Sequence, residues 1–140
     1  MQNQDELIRH LNKYRESFLD DLGCNIESVD SSVGRCEMTF DIGERYCHSV
    51  DVIQGGFVSA MLDAVCSHAA FVANLDVVGV STLEFKVAFL EASRMGRLTA
   101  VGRVEKLGRS IAFMSGELSN SDGQITATMT TTAKLRYAKG

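Results

Sequence analysis

Asp63 is the only formally charged residue between Asp51 and Asp76. It lies inside IQGGFVSAMLDAVCSHAAFVANL, Ile53 to Leu75, a stretch that is otherwise apolar for several helical turns after the Gly55-Gly56 pair. A carboxylate placed there can act on a bound substrate as a base or as a nucleophile. It can equally be a structural group, satisfied by backbone N–H groups or a paired base. The glycines add a second chemical group. A helix N-terminus carries unpaired N–H groups and the positive end of the helix dipole. Glycine lets a ligand atom approach that backbone closely, and an N–H there can hold a carbonyl oxygen as it becomes an oxyanion. Asp63 is two helical turns beyond Gly55, about 12 Å in rise. One helix cannot bring both groups to the same carbon, but two helices related by a two-fold axis can. If the pair is functional, the geometry requires a dimer.

Several elements must position these groups. Residues 5–22, DELIRHLNKYRESFLDDL, have the pattern of an amphipathic helix. Leu7, Ile8, Leu11, Tyr14, Phe18, Leu19 and Leu22 recur there at three- and four-residue steps, and Gly23 suits the end. Strands are expected at about Cys24–Ser31 and Gly34–Ile42, then an irregular loop over 43–53 and the apolar helix over 55–73. The remainder alternates as strands: Val78–Leu90, Arg97–Leu107, Arg109–Asn120 and Gln124–Tyr137. In the first of these, Leu83, Phe85, Val87 and Phe89 alternate with Thr82, Glu84, Lys86 and Ala88. At 100° per residue, Ser59, Asp63, Ser67 and Ala70 form one small, polar stripe on the helix. Its other faces are apolar and must be covered. An antiparallel sheet of about six strands curled around it does this, with a second subunit over the rest.

The 140 residues suit one domain with a sizeable core, and the hydrophobic fraction of 45% is ordinary for a globular protein. A net charge of −4 argues against a nucleic-acid binder. The charge is uneven: residues 1–90 hold 14 acids and 6 bases, residues 91–140 hold 4 acids and 8 bases. The basic half suits an anionic small molecule, or simply solvated strands. The first twenty residues are too polar for a secretory leader, and polar residues interrupt the best apolar window, so a cytoplasmic protein without a membrane span is expected. Cys24, Cys36, Cys47 and Cys66 are expected to be reduced packing residues. Cys47-His48 and Cys66-x-His68 match no common zinc spacing, so no metal is expected.

The stretch QGGFVSAMLD, followed by GVSTLEFKVAFLEAS, GRLTAVGRVEKLGRSIAFMSGELSNSDGQ and ITATMTTTAKL, resembles the hotdog-fold acyl-CoA thioesterases. It resembles in particular their phenylacetate-pathway branch and its relatives, whose members carry HGG, then about six residues, then an acid on the central helix. The resemblance covers roughly residues 20–137. It implies an α+β hotdog fold, a curved antiparallel sheet of about six strands wrapped around a long central helix. Residues 1–140 would be one domain, 1–22 an extra N-terminal helix and 23–137 the hotdog core.

The resemblance also implies an activity: hydrolysis of acyl-CoA thioesters by a homodimer or dimer of dimers, with coenzyme A as leaving group and no cofactor. Asp63 would be the catalytic carboxylate, as base or nucleophile. The Gly55 N–H would polarise the thioester carbonyl. His48 stands where relatives keep Asn or Gln to orient substrate or water, and Ser81 where they keep Ser or Thr near the water. Gln54, in place of the usual His, and Gly56 flank the oxyanion donor and would meet substrate. Arg109 in KLGRS is the candidate for the nucleotide phosphates, with Lys106, Arg94 and Arg97 at neighbouring turns. Phe57, Met61 and Phe85 are candidates for the acyl pocket. The hotdog dehydratases and hydratases would need a His–Glu or Asp–His pair on the substrate, and no such pair is expected at the helix here; His10, His48 and His68 are the only histidines. The alternative is a non-catalytic acyl-CoA binding or sensing module on the same fold, which Gln54 and His48 leave open.

Overall fold

The structure is a computed structural model that describes residues 3–139. The chain begins with α1 (Gln4–Tyr14) and a single helical turn, α2 (Phe18–Asp21). Strands β1 (Asn25–Asp30) and β2 (Arg35–Ile42) follow, then a 3-10 turn at Glu44–Tyr46 and the short strands β3 (Cys47–His48) and β4 (Val52–Ile53). The central helix is α3 (Gly55–Ala73). Four long strands complete the chain: β5 (Val77–Phe89), β6 (Gly96–Leu107), β7 (Ile111–Ser119) and β8 (Ile125–Tyr137). The main sheet has the order β1-β2-β6-β7-β8-β5 and is antiparallel throughout. β3 and β4 pair separately, within the segment expected to be irregular. This is the expected architecture, six strands around a long helix with an extra helix at the N-terminus.

The core lies between α3 and the concave face of the sheet. Met38, Phe40, Leu98, Met114, Leu118 and Met129 reach it from the strands, and Met61, Leu62 and Val65 from the helix. Two glycines set how closely the layers meet. Gly102 of β6 and Gly116 of β7 face each other in register. A Cβ at 102 would lie 2.5 Å from the Val65 carbonyl oxygen, and one at 116 would lie 2.9 Å from Cys66 Sγ. The helix backbone therefore rests directly on this glycine seat. Val65 is about 200° around the helix from Asp63. Pinning Val65 to β6 turns the Asp63 stripe away from the centre of the sheet and toward its β5 edge. By length and composition α3 could also cross a membrane, but here it is the helix that the sheet wraps.

Three features differ from the expectations. The N-terminal helix is not continuous over 5–22, because α1 stops at Tyr14 and Arg15 is extended. The cause is tertiary. Asn12 Oδ1 accepts from the Ile26 N–H (2.9 Å) and its amide donates to the Ile26 carbonyl (3.1 Å), tying α1 to β1. Arg15 then folds back onto the Asn12 carbonyl and side chain, at 2.7 and 2.8 Å. Tyr14 and Phe18, expected on the buried face, are exposed as a result.

The second difference is on β5. The register with β8 shifts between Thr82 and Glu84, leaving Leu83 as an extra residue. The Thr131 hydroxyl donates to the Glu84 carbonyl (2.8 Å) and holds the bulge. A bulge inverts the side-chain phase beyond it. Thr82 lies opposite buried Ala133, whereas beyond the bulge Val87 and Phe89 lie opposite buried Met129 and Ala127. Leu83 is therefore not part of an inward row, and it is 59% exposed. The third difference is on α3, where Ala70 is buried and Phe71 instead continues the half-buried stripe of Ser59, Asp63 and Ser67.

Candidate active site

α3 begins abruptly because Gln54 caps it. Gln54 is extended, and its Oε1 accepts from the Gly56 N–H at 2.7 Å. Its carbonyl accepts from the N–H groups of Phe57 (2.9 Å) and Val58 (3.3 Å). Three first-turn donors are thereby satisfied, and the Gly55 N–H is the one with no partner among the described residues. Gln54 and Gly56, expected at the substrate, are thus committed to each other. A Cβ at 56 would lie 2.7 Å from Gln54 Oε1, so a side chain there would displace the Gln54 cap.

Gly55 lies in a cleft of about 530 Å³ with His48, Ile53, Val58, Phe89 and Ser93 among its walls. His48 is exposed on β3, with Nδ1 3.0 Å from the Ser49 hydroxyl. The hairpin that carries it turns through Ser49 (φ 48°) and Val50 (φ 75°). Left-handed backbone is costly at a β-branched residue. The turn is held from outside by the Ile53 N–H to the Ser93 carbonyl (2.8 Å), the Met95 N–H to the Asp51 carbonyl (2.9 Å) and an Arg94–Asp51 ion pair at 2.7 Å.

Asp63 lies in a different cleft, of about 460 Å³, with Ala60, Ser67, Ser81 and Arg136 in its walls. The Thr82 hydroxyl donates to Asp63 Oδ1 at 2.7 Å. Oδ2 has no hydrogen-bond partner among the described residues. The expected hydroxyl at Ser81 is one residue out of phase. It stands opposite exposed Lys134 and lines the same cleft as Asp63, but the hydroxyl bonded to the carboxylate is that of the neighbouring Thr82. Cys66, close enough to feel the Asp63 charge, is no rival nucleophile, since burial pushes its thiol up to about 12.

Two residues escaped the sequence reading. Thr82 was hidden by the bulge, because straightforward alternation places it on the polar face. Arg136 enters the Asp63 cleft over Gly79 of β5, where an added Cβ would lie 3.0 Å from its Nε and Nη2. Only strand pairing brings Gly79 and Arg136 together, so no local signal marks them. Arg109 lies in the β6–β7 turn, exposed, and lines neither cleft. Of the acyl-pocket candidates, Met61 is fully buried, Phe57 packs on Tyr46 at 4.9 Å, and Phe85 is exposed on β5.

The structure thus brings His48 and Gly55 together in one cleft, and Asp63 and Ser81 together in another. Asp63 is eight residues along α3 from Gly55, about 12 Å in rise. Within one chain they cannot act on the same carbon.

A family model described as the thioesterase superfamily matches residues 51–127, which takes in α3 and β5 to β7. A crystal structure of a phenylacetic acid degradation-related protein from Ralstonia eutropha JMP134 is 31% identical, with a TM-score of 0.82, covering 90% of this chain and 96% of that one. A curated relative from Saccharolobus solfataricus, described as an esterase, is 28% identical over 103 residues, 74% of this chain and 73% of its own length. A Streptococcus pneumoniae TIGR4 thioesterase crystallised with coenzyme A shares the fold at 18% identity and a TM-score of 0.74, over 84% of this chain and 88% of that one. With a family match over more than half of its length, the chain belongs to the thioesterase superfamily, and it is a thioester hydrolase.

Proposed function

We propose that the protein hydrolyses acyl-CoA thioesters at two equivalent sites in a homodimer. Each site combines Asp63 of one protomer with the partner subunit's Gly55 N–H and the partner subunit's His48. The observation that carries this reading is the half-buried Asp63 carboxylate, one oxygen held by Thr82 and the other unpaired in a cleft. The separation of about 12 Å and β5 support the dimer. That strand is thirteen residues long at an open edge of the sheet, with Leu83, Phe85 and Phe89 at 59%, 46% and 57% exposure. A long apolar edge invites pairing with another strand. A second copy joined along β5 would continue the sheet and set the two α3 helices side by side.

In this reading the thioester carbonyl oxygen sits on the Gly55 N–H, with the positive end of α3 behind it. Asp63 Oδ2 takes a proton as water adds to the carbonyl carbon, or adds to that carbon itself. Either route forms a carbon–oxygen bond, breaks the carbon–sulfur bond and releases the coenzyme A thiol. The nucleophile route leaves an acyl–Asp63 anhydride that water then hydrolyses to free acid and carboxylate. Detection of an acyl group on Asp63 in a rapidly quenched single turnover separates the two, because the base route forms no acyl-enzyme. The coenzyme A in the Streptococcus structure supports this leaving group. Arg136, beside the Asp63 cleft, is better placed than Arg109 to meet an anionic part of the substrate.

The test is thiol release from a panel of short, long and aromatic acyl-CoAs. Turnover of at least one class is expected. Tight binding of the panel without thiol release would establish the non-catalytic binding module instead.

Thr82 is expected to orient Asp63. Thr82→Val keeps the shape and removes the hydroxyl. A hydrogen bond to a charged group contributes about 1.5–3 kcal/mol, so kcat should fall about tenfold or more with KM nearly unchanged. Thr82→Ser should restore most of it. Equal kcat in Thr82→Val and wild type would remove Thr82 from the site.

A further inference from the structure

The β3–β4 hairpin fixes how far His48 stands from Gly55. The Gln54 N–H donates to the Tyr46 carbonyl at 2.9 Å, Cys47 pairs with Ile53, and His48 pairs with Val52. Val52 is three residues before Gly55, about 10 Å of extended chain. His48 and Gly55 line one cleft, so the imidazole covers part of that span. The rest suits the oxygen–carbon–sulfur unit of a thioester whose oxygen lies on the Gly55 N–H. The side of the cleft matters too. His48 and Glu91 are exposed, whereas Ile53 and Val58 in the same cleft are buried. Coenzyme A is large and charged, so the leaving sulfur would face the exposed side, where His48 stands.

The ring is arranged to pass a proton. Nδ1 lies 3.0 Å from the Ser49 hydroxyl, and Nε2 has no partner among the described residues. A hydroxyl can accept from a protonated Nδ1 or donate to a bare one. The contact therefore survives either charge state of the ring. The turn behind it is left-handed at Ser49 and Val50, and Val50 is 86% exposed, so no packing offsets the strain. Backbone strain of this kind clusters at functional sites. The charged groups on the surrounding elements are Glu91 in the cleft wall, Asp51 and Arg94, paired at 2.7 Å, and Glu44 and Arg45 in the turn before β3. Among the described residues none forms an ion pair with the ring.

We propose that His48 is the general acid of the hydrolysis and gives its Nε2 proton to the departing coenzyme A sulfur. The proposal rests on Asp63 and Gly55 forming the hydrolytic site. The oxyanion on the Gly55 N–H collapses and the carbon–sulfur bond breaks. Its electron pair passes to sulfur, which takes the His48 proton. If water has added, the partner subunit's Asp63 holds the proton that water lost. If the partner subunit's Asp63 has itself added, the acyl group stays there until water follows. His48 then regains a proton from solvent and the carboxylate loses one, so thioester and water leave as acid and thiol. The Asn or Gln that the resemblance places here in relatives can orient a substrate but cannot give up this proton.

The test varies the leaving group. Wild type and His48→Asn are compared on the best acyl-CoA of the panel and on the same acyl group carried by thiophenol. His48 is exposed, so the variant should fold normally. General acids contribute about a hundredfold or more, and a thiolate leaves with less help than most groups. On acyl-CoA, kcat/KM of His48→Asn should therefore fall about ten- to a hundredfold. Thiophenol is the more acidic thiol and leaves faster unaided, so the loss on its ester should shrink to about twofold. On acyl-CoA, wild-type kcat/KM should fall as pH rises through the imidazole range of about 5 to 8, because the acid must be protonated. His48→Asn should lack that fall. No loss, equal losses on the two esters, or the same pH profile in both proteins would overturn the proposal and leave hydrolysis standing. No thiol release by wild type from either ester would overturn the hydrolytic reading and the proposal with it.

Discussion

Asp63→Asn is expected to reduce kcat by at least about a thousandfold, within the range for loss of a general base, while the protein folds and keeps its oligomeric state. Asparagine has the same shape and its side-chain oxygen can still accept from Thr82, so the cleft should be unchanged. It cannot take a proton from water or form the acyl-enzyme bond. The structural cost should be small, because the half-buried carboxylate has only the Thr82 hydroxyl as a partner. The melting temperature is expected to stay level or rise. The measurement is kcat on the best acyl-CoA of the panel, with circular dichroism on the same sample. Turnover within tenfold of wild type in a folded Asp63→Asn protein would remove Asp63 as the catalytic group.

Gly55→Pro is the second large effect. Gly55 is the first residue of α3, where proline is well tolerated because that N–H has no place in the helix ladder. Proline also requires extended backbone at the residue before it, and Gln54 already has φ −62° and ψ 137°. The substitution therefore deletes the donor with little strain on the helix. The contact to accommodate is with Phe89, whose Cζ lies 3.2 Å from an added Cβ, and Phe89 is exposed enough to yield. Removal of one oxyanion donor costs about 2.7–4 kcal/mol, a hundred- to a thousandfold in kcat. Gly55→Ala carries the same contact with Phe89 but keeps the N–H, and should retain activity within about tenfold. Equal losses in the two variants would mean that space at Gly55, not its N–H, is what substrate needs.

Much of this arrangement is legible in the chain because the fold depends on simple periodicities. Cys36, Met38, Phe40 and Ile42 alternate inward on β2 as their types indicate. The bounds of α3 match the expected 55–73, with the helix opening at the Gly55-Gly56 pair under the Gln54 cap and ending where Asn74 turns extended. The misses come where long-range contacts override local pattern. The three- and four-residue spacing of apolar residues runs from Leu11 and Tyr14 on to Phe18, yet Asn12 and Arg15 break the helix to hold β1. On β5, Thr82 and Leu83 alternate normally in sequence. A bulge held by Thr131, forty-seven residues from Glu84, decides that Thr82 reaches Asp63. Arg136 needs the seat over Gly79, a pairing that only the folded sheet creates. The spacing of Gly55 and Asp63 was visible throughout, because both lie on one helix whose rise per residue is constant.

The central claim is that each site is shared between two chains. Mixing Asp63→Asn with Gly55→Pro, each inactive alone, tests it directly. Unfolding and refolding an equimolar mixture should yield about half heterodimers. In each heterodimer one site has lost both groups. The other pairs an intact Asp63 with the partner subunit's Gly55. The mixture should therefore recover about a quarter of wild-type kcat. No recovery in a mixture shown to contain heterodimers would contradict the shared site, since each chain would then supply both groups to its own substrate.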